Sequence, residues 1–152
     1  MMNKKRIIGV DLGDKRTGVA VTDPTGILAG GIEMIVSSGM TDCAKKIAAF
    51  VEKYEAGEIV IGNPINMNGT RGESVKKTEK FAEILDTIVN AGNGEKNIKI
   101  TLFDERLSSS LAHTYMNETG ISGKSRKAKI DILSAQIILQ NYIDSLKKDH
   151  FN

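Results

Sequence analysis

Cysteine occurs once, as Cys43, and histidine twice, as His113 and His150. One thiol permits no internal disulfide and no thiolate cluster, and two histidines do not build a zinc site by themselves, so any metal has to be held by oxygen. No apolar run approaches the roughly 20 residues that a membrane-spanning helix requires. The stretch from Met1 to Ile8 is too basic and too briefly apolar for a signal peptide, so a cytoplasmic protein with no membrane partner is expected. A strong charge bias is also missing. The 21 basic and 19 acidic residues give a formal net charge of +2, too little to argue for nucleic-acid binding from the sum alone. The 152 residues fit a single domain spanning 1–152 and are too few for two lobes closing over a nucleotide.

With 40% apolar and 26% charged residues, the chain has the make-up of an ordinary globular protein. Ile7 to Asp11 and Gly18 to Thr22 are short β-branched runs on either side of a polar, glycine-bearing turn, which predicts a hairpin. Gly31 to Val36 is a third strand. The apolar period then lengthens: Ala44, Ile47, Ala48, Val51 and Tyr54 recur at helical spacing, with Thr41 and Asp42 suited to the helix start. Glu58 to Gly62 reads as a strand, Ser74 to Asn90 as a helix through Val75, Thr78, Ala82, Leu85 and Val89, and Ile98 to Phe103 as a fifth strand. Helices over Ser108 to Glu118 and Lys129 to Lys148 follow, separated by a polar linker from Thr119 to Ala128. This order predicts an α/β protein whose first three strands are antiparallel and whose last two run parallel to the first and lie beside it. The carboxyl ends of the parallel strands then share one edge, where open α/β sheets build their sites.

Three acids stand near that edge. Asp11 ends an apolar strand, so its carboxylate has to meet water, a metal or a partner charge; the ordinary reading is a turn cap paired with Lys15 or Arg16. Asp104 and Glu105 follow the fifth strand, where alternation lets at most one of them point the way Asp11 does; Glu105 is the choice, helped by the resemblance given below, with a solvated acid paired to Arg106 as the alternative. Asp131 lies near the start of the last helix, where the dipole favours an acid wherever it points. Ser134, Ala135 and Ile138, at i+3, i+4 and i+7, turn it inward, and a buried charge needs a partner. Arg126, Lys127 or a metal ion would serve. Converging, the three acids would form an oxygen cage suited to Mg²⁺ or Mn²⁺.

The remaining features have plain readings beside functional ones. Gly13 and Gly18 would let a backbone approach phosphate, yet glycines beside a hairpin usually serve the turn. Asn63 sits in a loop at the exit of the fourth strand, His113 reads as a surface or boundary histidine, and Cys43 as a small core residue. Lys124, Arg126, Lys127 and Lys129 crowd the segment before Asp131, and a basic cluster beside an acidic site is what a phosphate-backbone ligand needs.

The run Ile8-Gly9-Val10-Asp11-Leu12-Gly13-Asp14-Lys15-Arg16-Thr17-Gly18-Val19-Ala20-Val21-Thr22-Asp23-Pro24 closely resembles the opening of the YqgF family, whose members are described as Holliday-junction resolvase-like proteins or as nucleases of the small-subunit ribosomal RNA precursor. Ile61 to Gly69 resembles the family's strand-four loop, and Asp104-Glu105-Arg106-Leu107-Ser108-Ser109 its acidic block, with serines where threonine is frequent. Ser125 to Asp131 with Ile137 to Gln140 resembles its last helix. Four ordered blocks cover nearly the whole chain. The resemblance implies an RNase H-like fold, a five-stranded mixed sheet with helices on both faces. It implies a metal-dependent phosphodiesterase of the two-metal type, with Mg²⁺ or Mn²⁺ on Asp11, Glu105 and Asp131. Arg106, Arg126 and Lys127 would steady the phosphate, with Lys15, Arg16, Asn63 and Lys124 as further nucleic-acid contacts. The implied partner is nucleic acid, either a ribosomal RNA precursor or branched DNA; a homodimer is left open.

Two other classes compete. Actin-like and sugar-kinase-like proteins also open with Asp-x-Gly and a hairpin, but they close two lobes over ATP, and this chain has no second copy of the strand pattern. A non-catalytic nucleic-acid-binding module would keep the fold and the basic surface, with less reason to retain three acids.

Overall fold

The structure, a computed structural model, describes residues 5–63, 73–91, 97–104 and 124–151. Five strands, β1 (Arg6–Asp11), β2 (Arg16–Thr22), β3 (Ala29–Val36), β4 (Ala56–Asn63) and β5 (Lys99–Asp104), form one sheet in the order β3-β2-β1-β4-β5. The first three pair antiparallel, and β4 and β5 run parallel to β1, as the sequence order predicts. The expected helix over Ser108 to Glu118, with His113, lies outside the described residues.

Two helices cover one face. In α1 (Met40–Tyr54) Cys43, Ala44, Ile47 and Val51 are buried, and in α2 (Glu73–Val89) Val75, Thr78, Phe81 and Leu85. Phe81, absent from the face read off the sequence, is fully buried. These side chains meet Ile8 and Val10 of β1, Val19 of β2 and Ile59 and Ile61 of β4 in the main core. The start of α1 is held by Asp42, whose carboxylate accepts the Ser38 N–H at 3.1 Å; Gly39 is the cap and contributes no side chain. The helix ends at Glu55 in the left-handed region, φ 53°, with its N–H returned to Val51 and Glu52.

Helix α3 (Lys124–Phe151) covers the opposite face. It begins before the predicted Lys129, so the basic segment expected as a linker is largely the first turns of a helix. Lysine, arginine and alanine are good helix formers, and the breaking glycines, Gly120 and Gly123, lie ahead of it. Asp131 therefore sits about two turns into α3, beyond reach of the dipole argument for a first-turn acid.

Alternation along β1 sorts its residues, with Ile8 and Val10 facing α1 and α2 and Ile7 and Gly9 facing α3. Helix α3 approaches very closely. A Cβ on Gly9 would stand 2.7 Å from Leu139 Cβ and one on Gly62 2.5 Å from Ile138 Cδ1, while one on Gly31 would strike Ile132 and one on Gly18 the Asp131 carbonyl oxygen. Glycines on four strands thus form the floor under α3, and its buried Ala135, Ile138, Leu139, Tyr142 and Ile143 fill the remaining space. Tyr142 also donates to Glu58 Oε2 at 2.6 Å and meets Phe103 edge-on at 5.6 Å, which fixes the far end of the helix over β4 and β5.

Candidate active site

Asp11 and Asp131 lie about 120 residues apart in sequence, yet the glycine floor brings them together. Asp11 pairs in register with Gly18, and Gly18, having no side chain, lets the α3 backbone at Asp131 rest directly on β2. Gly18 is therefore a helix-packing residue within β2 rather than a turn residue. Gly13 does serve the turn, since a Cβ there would strike the Arg16 carbonyl oxygen.

Burial drives the Asp11 carboxyl up from its ordinary 3.8 to about 7, with the nearby Asp131 charge adding to the rise and the Ser134 side chain opposing it. Ser134, fully buried one turn beyond Asp131, thus favours the charged form of Asp11. Asp131 itself meets Arg16, with Nε 3.3 Å from Oδ2. This ion pair comes from the first residue of β2, an element that the spacing around Asp131 does not point to. A strand residue can reach across a glycine gap to the helix above it.

The other predicted residues are less concentrated. Lys15 is exposed in the β1–β2 turn. Asn63 ends β4 and is buried, with no hydrogen-bond partner for its Oδ1 among the described residues. Phe103 packs under α3, so alternation turns Asp104, the last residue of β5, to the face opposite Asp11. Arg126 is half-buried and Lys127 and Lys129 are exposed on α3, while Lys124 is its first residue. Glu105 and Arg106 lie outside the described residues. Sequence reasoning missed the Lys77–Asp14 ion pair, 3.3 Å, at the mouth of a cavity of about 190 Å³ beside the β1–β2 turn.

Among the described residues no three potential ligands of the histidine, cysteine or carboxylate kind cluster; the site holds two carboxylates. Two suffice for a hard divalent ion that keeps several waters and takes further oxygens from a phosphate. The Asp11 carboxyl, whose pKa is raised to about 7 by burial and by its acidic neighbour, is partly protonated at neutral pH, and a cation would draw it to its charged form.

Comparison with known proteins places the chain in a family. The RuvX family, described as Holliday junction resolvase, matches residues 5–145. The chain belongs to the RuvX family. Its relatives include a Ruminiclostridium cellulolyticum protein 41% identical over 93% of this chain and 95% of its own, and a Clostridioides difficile protein 39% identical over 91% and 94%. Both carry the name "Putative pre-16S rRNA nuclease". Among solved structures the fold is shared with Thermus thermophilus RuvC in complex with a Holliday junction substrate, at TM-score 0.54 and 12% identity over 95% of this chain and 96% of that one. The Fowlpox virus Holliday junction resolvase gives TM-score 0.55 at 14% identity over 92% and 99%. The RuvX chain thus has the RNase H-like resolvase fold that its opening motif implies.

Proposed function

We propose that this chain is a metal-dependent nuclease, a single domain hydrolysing phosphodiester bonds in structured nucleic acid in the cytoplasm. The half-buried, desolvated Asp11 carboxyl beside Asp131, at the carboxyl edge of the parallel strands, carries this reading. Asp11 and Asp131 would hold Mg²⁺ or Mn²⁺, and Glu105 would complete the set by the family resemblance. When bound, the cation supplies a water acidic enough to attack at neutral pH and charge to stabilise the phosphate, in one- or two-ion form. Ser134 opposes the rise in the Asp11 pKa and so favours the charged form that ligation requires. Lys15, Lys127 and Lys129 would line the approach in the β1–β2 turn and on α3, with Asn63 buried at the end of β4 on the opposite face. The precursor of small-subunit ribosomal RNA is the preferred substrate class, because that name belongs to relatives matching nearly the whole chain at about 40% identity, whereas the Holliday-junction proteins share the fold at 12–14%.

Cleavage of a ribosomal RNA precursor end and of a four-way DNA junction, run side by side, tests both parts. Activity is expected with Mg²⁺ or Mn²⁺, poorly with Ca²⁺, whose looser coordination does not hold water and leaving group in line, and not at all in excess EDTA. Undiminished cleavage in EDTA would eliminate the metal mechanism, and preference for the junction would overturn the RNA assignment.

The basic face of α3 can be tested separately. Replacing exposed Lys127 and Lys129 together by alanine removes up to two phosphate contacts, so the slope of log affinity against log salt should become shallower by about 1 to 2. Binding should weaken for all sequences alike, and folding should change little. An unaltered slope would show that nucleic acid does not approach along α3.

A further inference from the structure

We propose that Arg16 is a resident counter-cation of the acidic pair, holding Asp131 while the site contains no divalent ion and swinging out when one binds. This rests on the reading that Asp11 and Asp131 form a metal site, and goes beyond it by assigning Arg16 a role in opposition to the metal. The role differs from that of a simple phosphate contact.

The geometry points this way on three grounds. Arg16 Nε stands 3.3 Å from Asp131 Oδ2, the charge centre that a cation shared with Asp11 would occupy or adjoin. The Arg16 side chain is 42% exposed and that of Asp131 20%, so the guanidinium closes the solvent side of the pair and can leave without disturbing the core. Arg16 also heads β2, two residues before Gly18, so its backbone is fixed by the pairing of Arg16 with Val36 while its long side chain stays free to turn. A buried carboxylate with no compensating charge is costly. An arginine that yields to a divalent ion keeps the site compensated in both states.

Competition of this kind lowers the apparent metal affinity by the fraction of time the site is open. If the Arg16–Asp131 pair is closed about nine-tenths of the time, its removal tightens metal binding about tenfold. The experiment measures Mn²⁺ affinity by calorimetry for the full chain, for Arg16→Gln and for Asp11→Asn. Arg16→Gln is expected to bind Mn²⁺ roughly 3- to 10-fold more tightly than the unaltered protein, and its melting temperature, lower without metal, should gain more from added Mn²⁺. Unchanged or weaker binding in Arg16→Gln would overturn the proposal. A second measurement is made on the unaltered protein: the ¹⁵N signal of the Arg16 Nε–H, assigned by its absence from the spectrum of Arg16→Lys, should exchange with water faster once Mg²⁺ is added, and unaltered exchange at saturation would count against the swing. The metal reading fails separately. It falls, together with this proposal, if the unaltered protein binds no Mn²⁺ or if Asp11→Asn binds it equally well. If Asp11→Asn loses Mn²⁺ while Arg16→Gln matches the unaltered protein, only the exchange is refuted.

Discussion

Asp11→Asn is expected to abolish cleavage and, in the metal-free protein, to raise stability. The loss of activity should exceed the roughly 100-fold that follows from disturbing a group behind a metal ligand, because an amide keeps the shape of the side chain and removes its charge. The gain in stability follows from burial. The Asp11 carboxyl titrates near 7 in the folded chain against an ordinary 3.8, so between those values the folded state holds a proton that the unfolded state has released. Stability from this group is complete below about pH 4, declines as pH rises toward 7, and stays low above it. The difference amounts to at most about 4 kcal/mol at 1.36 kcal/mol per pH unit. Asparagine has no proton to lose, so the variant should lack this decline and melt at a higher temperature than the unaltered protein at pH 8 in EDTA. Added Mg²⁺ or Mn²⁺ should stabilise the unaltered protein alone. Cleavage surviving in the purified variant would remove Asp11 from the site, and an unaltered pH profile would show that the carboxyl is not buried as described.

Among the glycines of the described residues, Gly18 should be the one whose replacement by alanine is most damaging. The new Cβ would strike the carbonyl oxygen of Asp131, and backbone, unlike a side-chain tip, cannot turn aside. Over-packing of this kind costs about 3 kcal/mol or more, which for a domain of this size lowers the melting temperature by about 6 to 12 °C. The helix carrying Asp131 has to lift, and a displacement of about 1 Å at a reacting centre can cost on the order of 100-fold in rate. Gly30→Ala is the control, because its Cβ would meet nothing closer than Val21 O at 3.9 Å. Equal melting temperatures for the two variants would show that α3 does not rest on β2 at Gly18.

The strands and their order were legible because short β-branched runs, turn residues and right-handed crossovers leave few arrangements open. The inward turn of Asp131 was legible as well, from Ser134, Ala135 and Ile138 on the same helical face, all of which are buried. The start of α3 was not. Ser125 and the nearby glycines look like a linker, and the helix-forming value of Lys124, Arg126, Lys127 and Ala128 emerges only when α3 has a sheet to lie on. The Arg16–Asp131 pair was illegible for another reason: it joins residues on different elements, and local spacing carries no information about such a contact. Gly18 illustrates a third limit. A missing side chain reads the same in a turn as beneath a helix, and only the packed structure tells the two apart.

Because Asp11 and Asp131 come from distant parts of the chain and meet only through the seating of α3 on the glycine floor, the order of synthesis bears on the chemistry. A ribosome delivers the sheet strands first, and Asp11 waits at a strand end while more than a hundred residues are added. The second acid arrives with α3, which also supplies the cover over β2. A chain made only as far as β5 therefore cannot assemble the acidic pair, and a cutting activity built on it would switch on only once α3 has been added.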